Sequence, residues 1–172
     1  MGASVLAAAV LILSALYFRS SPEETSVVQF TSYPGITKSP SISPTGDQIA
    51  FCWNGSVGDH FHIYVKQIGP GNAVPLTKGA ADDVQCRWSP DGKVLRFTVE
   101  DQKTSSSALW EVGADGARLR PLLPGWSNPP EECCGNWTPN GSYFVFKSER
   151  VANTSNLWAI REKGGFLRRH SS

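Results

Sequence analysis

Apolar and polar positions follow two regimes along this chain. From Ala3 to Leu16 (ASVLAAAVLILSAL) almost every residue is apolar and none is charged. From residue 27 onward, short runs with apolar residues at alternate positions are separated by Gly, Pro, Asn and Asp. The first regime predicts a helix with no polar face, and the second predicts short strands joined by tight turns. As a helix, residues 1–18 would span about 27 Å, close to the roughly 30 Å core of a bilayer. Tyr17, Phe18 and Arg19 supply interfacial aromatics and a cationic stop, and Ser20-Ser21-Pro22 ends the helix. Residues 1–19 are therefore expected to be a transmembrane anchor, with 3–18 in the membrane and 20–26 as linker. A cleaved signal peptide is the competing reading. No Lys or Arg precedes the apolar run and no small-residue cleavage site follows it.

The second regime repeats. Ser41-Ile-Ser-Pro-Thr-Gly-Asp-Gln-Ile-Ala-Phe51, Arg87-Trp-Ser-Pro-Asp-Gly-Lys-Val-Leu-Arg-Phe97 and Asn136-Trp-Thr-Pro-Asn-Gly-Ser-Tyr-Phe-Val-Phe146 align without gaps. Their prolines, Pro44, Pro90 and Pro139, lie 46 and 49 residues apart. A second element, Ile63-Tyr64-Val65, Leu109-Trp110-Glu111 or Leu157-Trp158-Ala159, begins 19, 19 or 18 residues after its proline. A third closes each unit: Val74-Pro-Leu-Thr77, Leu119-Arg-Pro-Leu122 and Phe166-Leu167. Val27-Val-Gln-Phe-Thr31 matches that third element and reads as the outer strand of a further unit.

The turns have a physical basis. Proline presets φ, and the glycine two residues later takes the positive φ that the turn needs. Pro44, Gly46, Pro90, Asp91, Gly92, Pro139, Asn140 and Gly141 are the expected turn residues. Phe51, Tyr64, Trp88, Phe97, Trp110, Trp137, Phe146 and Trp158 recur at equivalent positions, as packing between units requires. Four short strands per 46 to 49 residues is the spacing of a propeller blade.

The pattern x-W-S-P-D-G-x-x-[IVL]-x-F, followed by [IL]-[YW]-x, resembles the TolB-like, WD-repeat-like β-propeller family over roughly residues 26–169. The resemblance implies an all-β, incomplete propeller: residues 27–169, with blades at about 36–78, 82–124 and 132–169, one extra outer strand, and a 170–172 tail. With the preceding apolar helix, the chain is similar to bacterial regulators of the CadC winged-helix type or to serine/threonine kinases. In those proteins one membrane span leads to an external propeller. Neither cytoplasmic domain is represented in this chain. Family rings usually have six or seven blades, so the expectation is a fragment, or a chain that closes by association with protein or with further blades.

Composition narrows the function. Sixteen basic and 15 acidic residues give a net charge of +1, which predicts no nucleic-acid surface. A basic cluster (Arg161, Lys163, Arg168, Arg169, His170) is best read as a solvated edge. His60-x-His62 could share one strand face toward a metal, but no third ligand is placed, and a surface pair is preferred. Asp82-Asp83 and Glu131-Glu132 precede predicted first strands and read as solvated loop carboxylates, with Ca²⁺ or a basic partner as the alternative. No metal or cofactor is therefore expected.

There is no G-x-S-x-G elbow and no arguable Ser-His-Asp set, so no catalytic residue is assigned. Propellers of this kind also precede the catalytic domain of prolyl-oligopeptidase-type hydrolases. Cys52 and Cys86 are expected as buried thiols, with one cross-blade bridge possible outside the cytoplasm. Adjacent Cys133 and Cys134 are expected not to bond to each other, because a trans peptide holds their Cβ vectors apart. The sequence thus predicts a non-catalytic, single-pass module on the periplasmic side of a bacterial inner membrane, binding or sensing a ligand or protein. The alternative is a piece of a larger regulator, kinase or hydrolase.

Overall fold

The Pro-x-Gly turns close with the same bonds three times. The Gly46, Gly92 and Gly141 amides donate to the carbonyls of Ser43, Ser89 and Thr138 at 2.9, 2.9 and 2.8 Å. The glycines sit at φ of 75°, 70° and 68°, a region that disfavours a Cβ. The hydroxyls of Ser43, Ser89 and Thr138 accept the amides of Gln48, Val94 and Tyr143, each the first residue of the next strand. One short hydroxyl thus ends one strand and starts the next.

The computed structural model describes residues 25–126, 128–151 and 154–162, with Gly2, Val10 and Ser14. It forms two compact units, Met1–Ser32 and Tyr33–Ser172. The second unit is all β. The first sheet runs β1 (Thr37–Ile42), β2 (Gln48–Trp53), β3 (His62–Gln67), β4 (Val74–Pro75). The second runs β5 (Asp82–Trp88), β6 (Val94–Asp101), β7 (Ser106–Gly113), β8 (Arg120–Pro121). The third pairs β9 (Glu132–Trp137), β10 (Tyr143–Ser148) and β11 (Asn156–Arg161). Every named strand pairing is antiparallel. The fourth strands are only two residues long, because Pro75 and Pro121 have no amide to donate to a ladder. The fourth strand predicted at 166–167 lies outside the described residues.

Two features absent from the sequence reading organise the stack. Five residues before each turn proline, Ser39, Gln85 and Cys134 take φ of 54°, 57° and 62°. The register of each first strand shifts there, so each carries a bulge. Neighbouring turns also touch. A Cβ on Gly92 would lie 3.7 Å from the Pro44 ring, and one on Gly141 would lie 3.3 Å from Pro90.

The sheets stack face to face. Ala50, Cys52 and Ile63 of the first pack on Cys86, Trp88, Leu95, Phe97 and Val112 of the second. Leu109 of the second packs on Phe144 and Phe146 of the third, flanked by Trp126, Trp137, Trp158 and Ile160. Trp110 joins the first cluster as a partly buried neighbour. Phe51 and Tyr64 behave differently from the other recurring aromatics. They lie on the far face of the first sheet, beneath Tyr33, which stacks 6.1 Å from Phe51 and 5.0 Å from Trp53.

Two expectations are corrected. Val27–Thr31 forms no strand; Val27 and Val28 are exposed. An isolated strand gains nothing from its alternating pattern when no partner strand supplies a ladder. Cys133 and Cys134 are joined to each other across a Cα–Cα distance of 3.8 Å. The positive φ of Cys134, inside the bulge, changes the direction of its Cβ from that in a regular strand. Of the anchor predicted at 1–19, all but three residues lie outside the described set. Among the described residues no helix is long and apolar enough to cross a membrane.

Candidate functional site

Aligning the repeats through their sheet registers isolates one departure. On the face that each sheet turns toward the next, a row crosses the strands. In the first sheet the row is Ala50, Val65 and Val74. In the third it is Val145 opposite Ala159. In the second it is Arg96, Glu111 and Arg120. Only the middle sheet of the described three places charge where its neighbours place small apolar residues.

The charges are closely engaged. The Arg96 side chain is 5% exposed and its Nε donates to Glu111 Oε2 at 2.9 Å. Its Nη1 and Nη2 donate to the two oxygens of Glu162, just past β11, at 2.6 and 3.2 Å. Arg120 Nη2 donates to Glu111 Oε1 at 2.7 Å. The Arg96 guanidinium also lies over the rings of Trp137 (4.2 Å) and Phe144 (4.8 Å). A buried ion pair is often no more stable than apolar residues of the same volume. Its presence in one repeat alone marks a position shaped by something besides core packing.

Around this row a groove of about 710 Å³ opens between the second and third sheets. Lys93, Arg118 and Arg120 line it on one side, and Trp137, Asn140 and Glu162 on the other. That volume is in the range of small-ligand sites. The turn residues Pro90, Asp91, Pro139, Asn140 and Gly141 form its end, so residues predicted as hairpin closures also wall the groove. Sequence reasoning assigned Arg96, Glu111 and Arg120 no role. The available signal was charge at two repeat positions that are apolar in the other units.

The other candidates resolve differently. His60 Nδ1 lies 3.2 Å from Asp82 Oδ1, and His62 Nδ1 lies 3.4 Å from Asp83 Oδ2. Asp82 and Asp83 are the first two residues of β5 and are buried, as is Glu132 at the start of β9; they are not solvated loop carboxylates. Asp82 also accepts from the Phe61 amide (2.9 Å) and Gln102 (2.8 Å). Burial works to raise the Asp82 carboxyl, but bonds from Phe61, Gln102 and His60 bring it below the ordinary aspartate value. Burial pushes Asp83 up, against bonds from Thr77 and His62.

The His and Asp pairs therefore staple the first sheet to the second. Among the described residues no group of three His, Cys, Asp or Glu side chains could hold a metal. Cys52 and Cys86 are free and fully buried. The Cys86 thiol donates to the Ser39 carbonyl at 3.4 Å, and the interaction between the two thiols lowers Cys52 and, with burial, pushes Cys86 well above the usual thiol value. Of the predicted basic cluster, Arg161 ends β11, and the remainder lies outside the described residues.

No family model matches the chain. It is 30% identical over 87 residues, 49% of its length, to the uncharacterized peptidase YuxL of Bacillus subtilis, and covers 12% of that protein. Its fold is similar to a structure from Agrobacterium tumefaciens solved as a TolB, with a TM-score of 0.61 and 22% identity over 78% of this chain and 48% of the other. TolB of Acinetobacter baumannii is similar at a TM-score of 0.60 and 18% identity, over 76% and 31%. The chain spans less than half the length of each of these three proteins. The likenesses establish the fold: the three sheets are blades of a TolB-like β-propeller.

Proposed function

We propose that this chain is a non-catalytic propeller module that recognises a ligand or protein through the groove between its second and third blades. A helix at residues 3–18 would tether it to a membrane, with the blades on the extracytoplasmic side. The observation that carries the reading is the charged Arg96–Glu111–Arg120 row, set in a groove of about 710 Å³ where the other blades carry apolar residues. The test is selection of peptides from a displayed random library on the full 172-residue chain. Specific binders that Arg120→Glu abolishes are the expected result, and binders indifferent to that change would refute the groove.

The second reading, the propeller portion of a hydrolase, is favoured by the similarity to the YuxL peptidase. In that reading the groove stays a contact surface, and the reacting groups belong to a domain outside this chain. A hydrolase domain encoded next to these blades would support it. The tether is tested by alkaline extraction of membranes, where release of the chain would remove the anchor from the account.

A further inference from the structure

The hydrogen-bonding inventory of the groove is one-sided. Its lining holds four cationic side chains, Lys93, Arg96, Arg118 and Arg120, and three anionic ones, Asp91, Glu111 and Glu162. Both carboxylate oxygens of all three acids are engaged. Asp91 Oδ1 accepts from the Ser89 hydroxyl and the Lys93 amide, and its Oδ2 faces Lys93 Nζ. Glu111 is shared between Arg96 and Arg120, and Glu162 is held by Arg96.

The donors are not used up. Arg118 makes no hydrogen bond or ion pair among the described residues, and Arg120 uses one nitrogen only. Asn140 accepts through Oδ1, from Thr138 and Ser142, and its amide protons are unclaimed. Each carboxylate oxygen thus already faces a donor, while Arg118, most of Arg120 and the Asn140 amide face no acceptor among the described residues. Arg118 also takes φ of 58°, a conformation with a cost for a residue other than glycine.

We propose that this groove binds carboxylate groups, presented by an acidic peptide segment and read by Arg118 and Arg120. The inference rests on the propeller being a binding module, and it names the chemistry of the occupant. A carboxylate is acceptor-only and matches the planar fork of a guanidinium. Arg120 opens β8 and Arg118 lies two residues before it, both lining the groove. That spacing suits separated carboxylates along an extended chain. The engaged Glu111 and Glu162 disfavour the denser charge of a phosphate, because like charges at close range repel.

Titration calorimetry of the full chain with hexaglutamate, hexalysine, citrate and inorganic phosphate tests the proposal. The Trp137 indole proton resonance is followed alongside. Saturable hexaglutamate binding is expected, with a shift of that resonance and weakening by salt. Arg118→Gln, which breaks no hydrogen bond or ion pair among the described residues, should weaken binding about tenfold, and the Arg118→Gln/Arg120→Gln pair more. Unchanged melting of Arg118→Gln would show that the fold is intact. Three results overturn the proposal: no hexaglutamate binding, equal binding by the arginine variants, or binding of hexalysine or phosphate as tight as that of hexaglutamate. Citrate matching hexaglutamate would overturn the peptide and leave a small carboxylate. If library peptides without acidic residues bind the groove, the module survives and the acidic occupant does not.

Discussion

The two interfaces between blades are built on one plan and held differently. Between the first and second blades, Ala50, Cys52 and Ile63 meet Leu95, Phe97 and Val112, all fully or almost fully buried. Between the second and third, Leu109 meets Phe144 and Phe146, but beside them Arg96 bridges Glu111 of its own blade and Glu162 of the next. Both carry directed bonds at an edge: His60–Asp82 and His62–Asp83 at the first, Arg96–Glu162 at the second. Only the second places charge on the strand row that faces its neighbour, next to an open groove. Repetition of a fold therefore does not imply repetition of the force that joins its units. A single cross-strand pair, Ala50–Val65 against Arg96–Glu111, is enough to change it.

The largest expected effect comes from forcing the second plan onto the first. Ala50→Arg places an unpaired charge at a fully buried position, and a loss of more than about 4 kcal/mol in urea unfolding is expected. Next, Arg96→Ala leaves Glu162 without its partner and Glu111 held by Arg120 alone, and should cost about 3–5 kcal/mol. Adding Glu111→Val, which rebuilds the first blade's row, should recover at least half of that loss. If the double variant is no better than the single, the row is not the apolar row with charges substituted.

The third test concerns the face beyond the third blade. Ile63, Leu109 and Leu157 are equivalent by register, yet they are 0%, 2% and 78% exposed. Leu109→Ala should cost about 3 kcal/mol and Leu157→Ala less than about 0.5 in the 172-residue chain. Comparable losses would mean that Leu157 is covered.

The smallest effect is electrostatic. Asp82 titrates below its ordinary value because its bonds to Phe61, Gln102 and His60 outweigh its burial. A carboxyl depressed in the folded state contributes stability above its unfolded pKa, and loses it as pH falls through the folded one. Asp82→Asn should therefore flatten the acid limb of a melting-temperature profile. An unchanged limb would assign it to other carboxylates.

The turns and the aromatic strands were legible in the sequence because they are local. Ser89-Pro90-Asp91-Gly92 carries its geometry within four residues, and Trp110 declares itself by its fixed distance from Pro90. The charged row was not legible, since Glu162 is 66 residues from Arg96 and meets it only once two sheets have stacked. The bulges at Ser39, Gln85 and Cys134 lack the glycine that usually signals positive φ; register imposes them. That geometry also made the Cys133–Cys134 bond invisible to an argument from regular strands. Val27–Thr31 failed the other way: its pattern suits a strand, but pairing needs a neighbour that alternation cannot supply.

The central claim is that Arg96 and Glu162 tie the second blade to the third. A double-mutant cycle with Arg96→Ala and Glu162→Ala, read by equilibrium unfolding, measures that tie directly. The account predicts a coupling of about 2 kcal/mol, and a coupling under about 0.5 kcal/mol would contradict it.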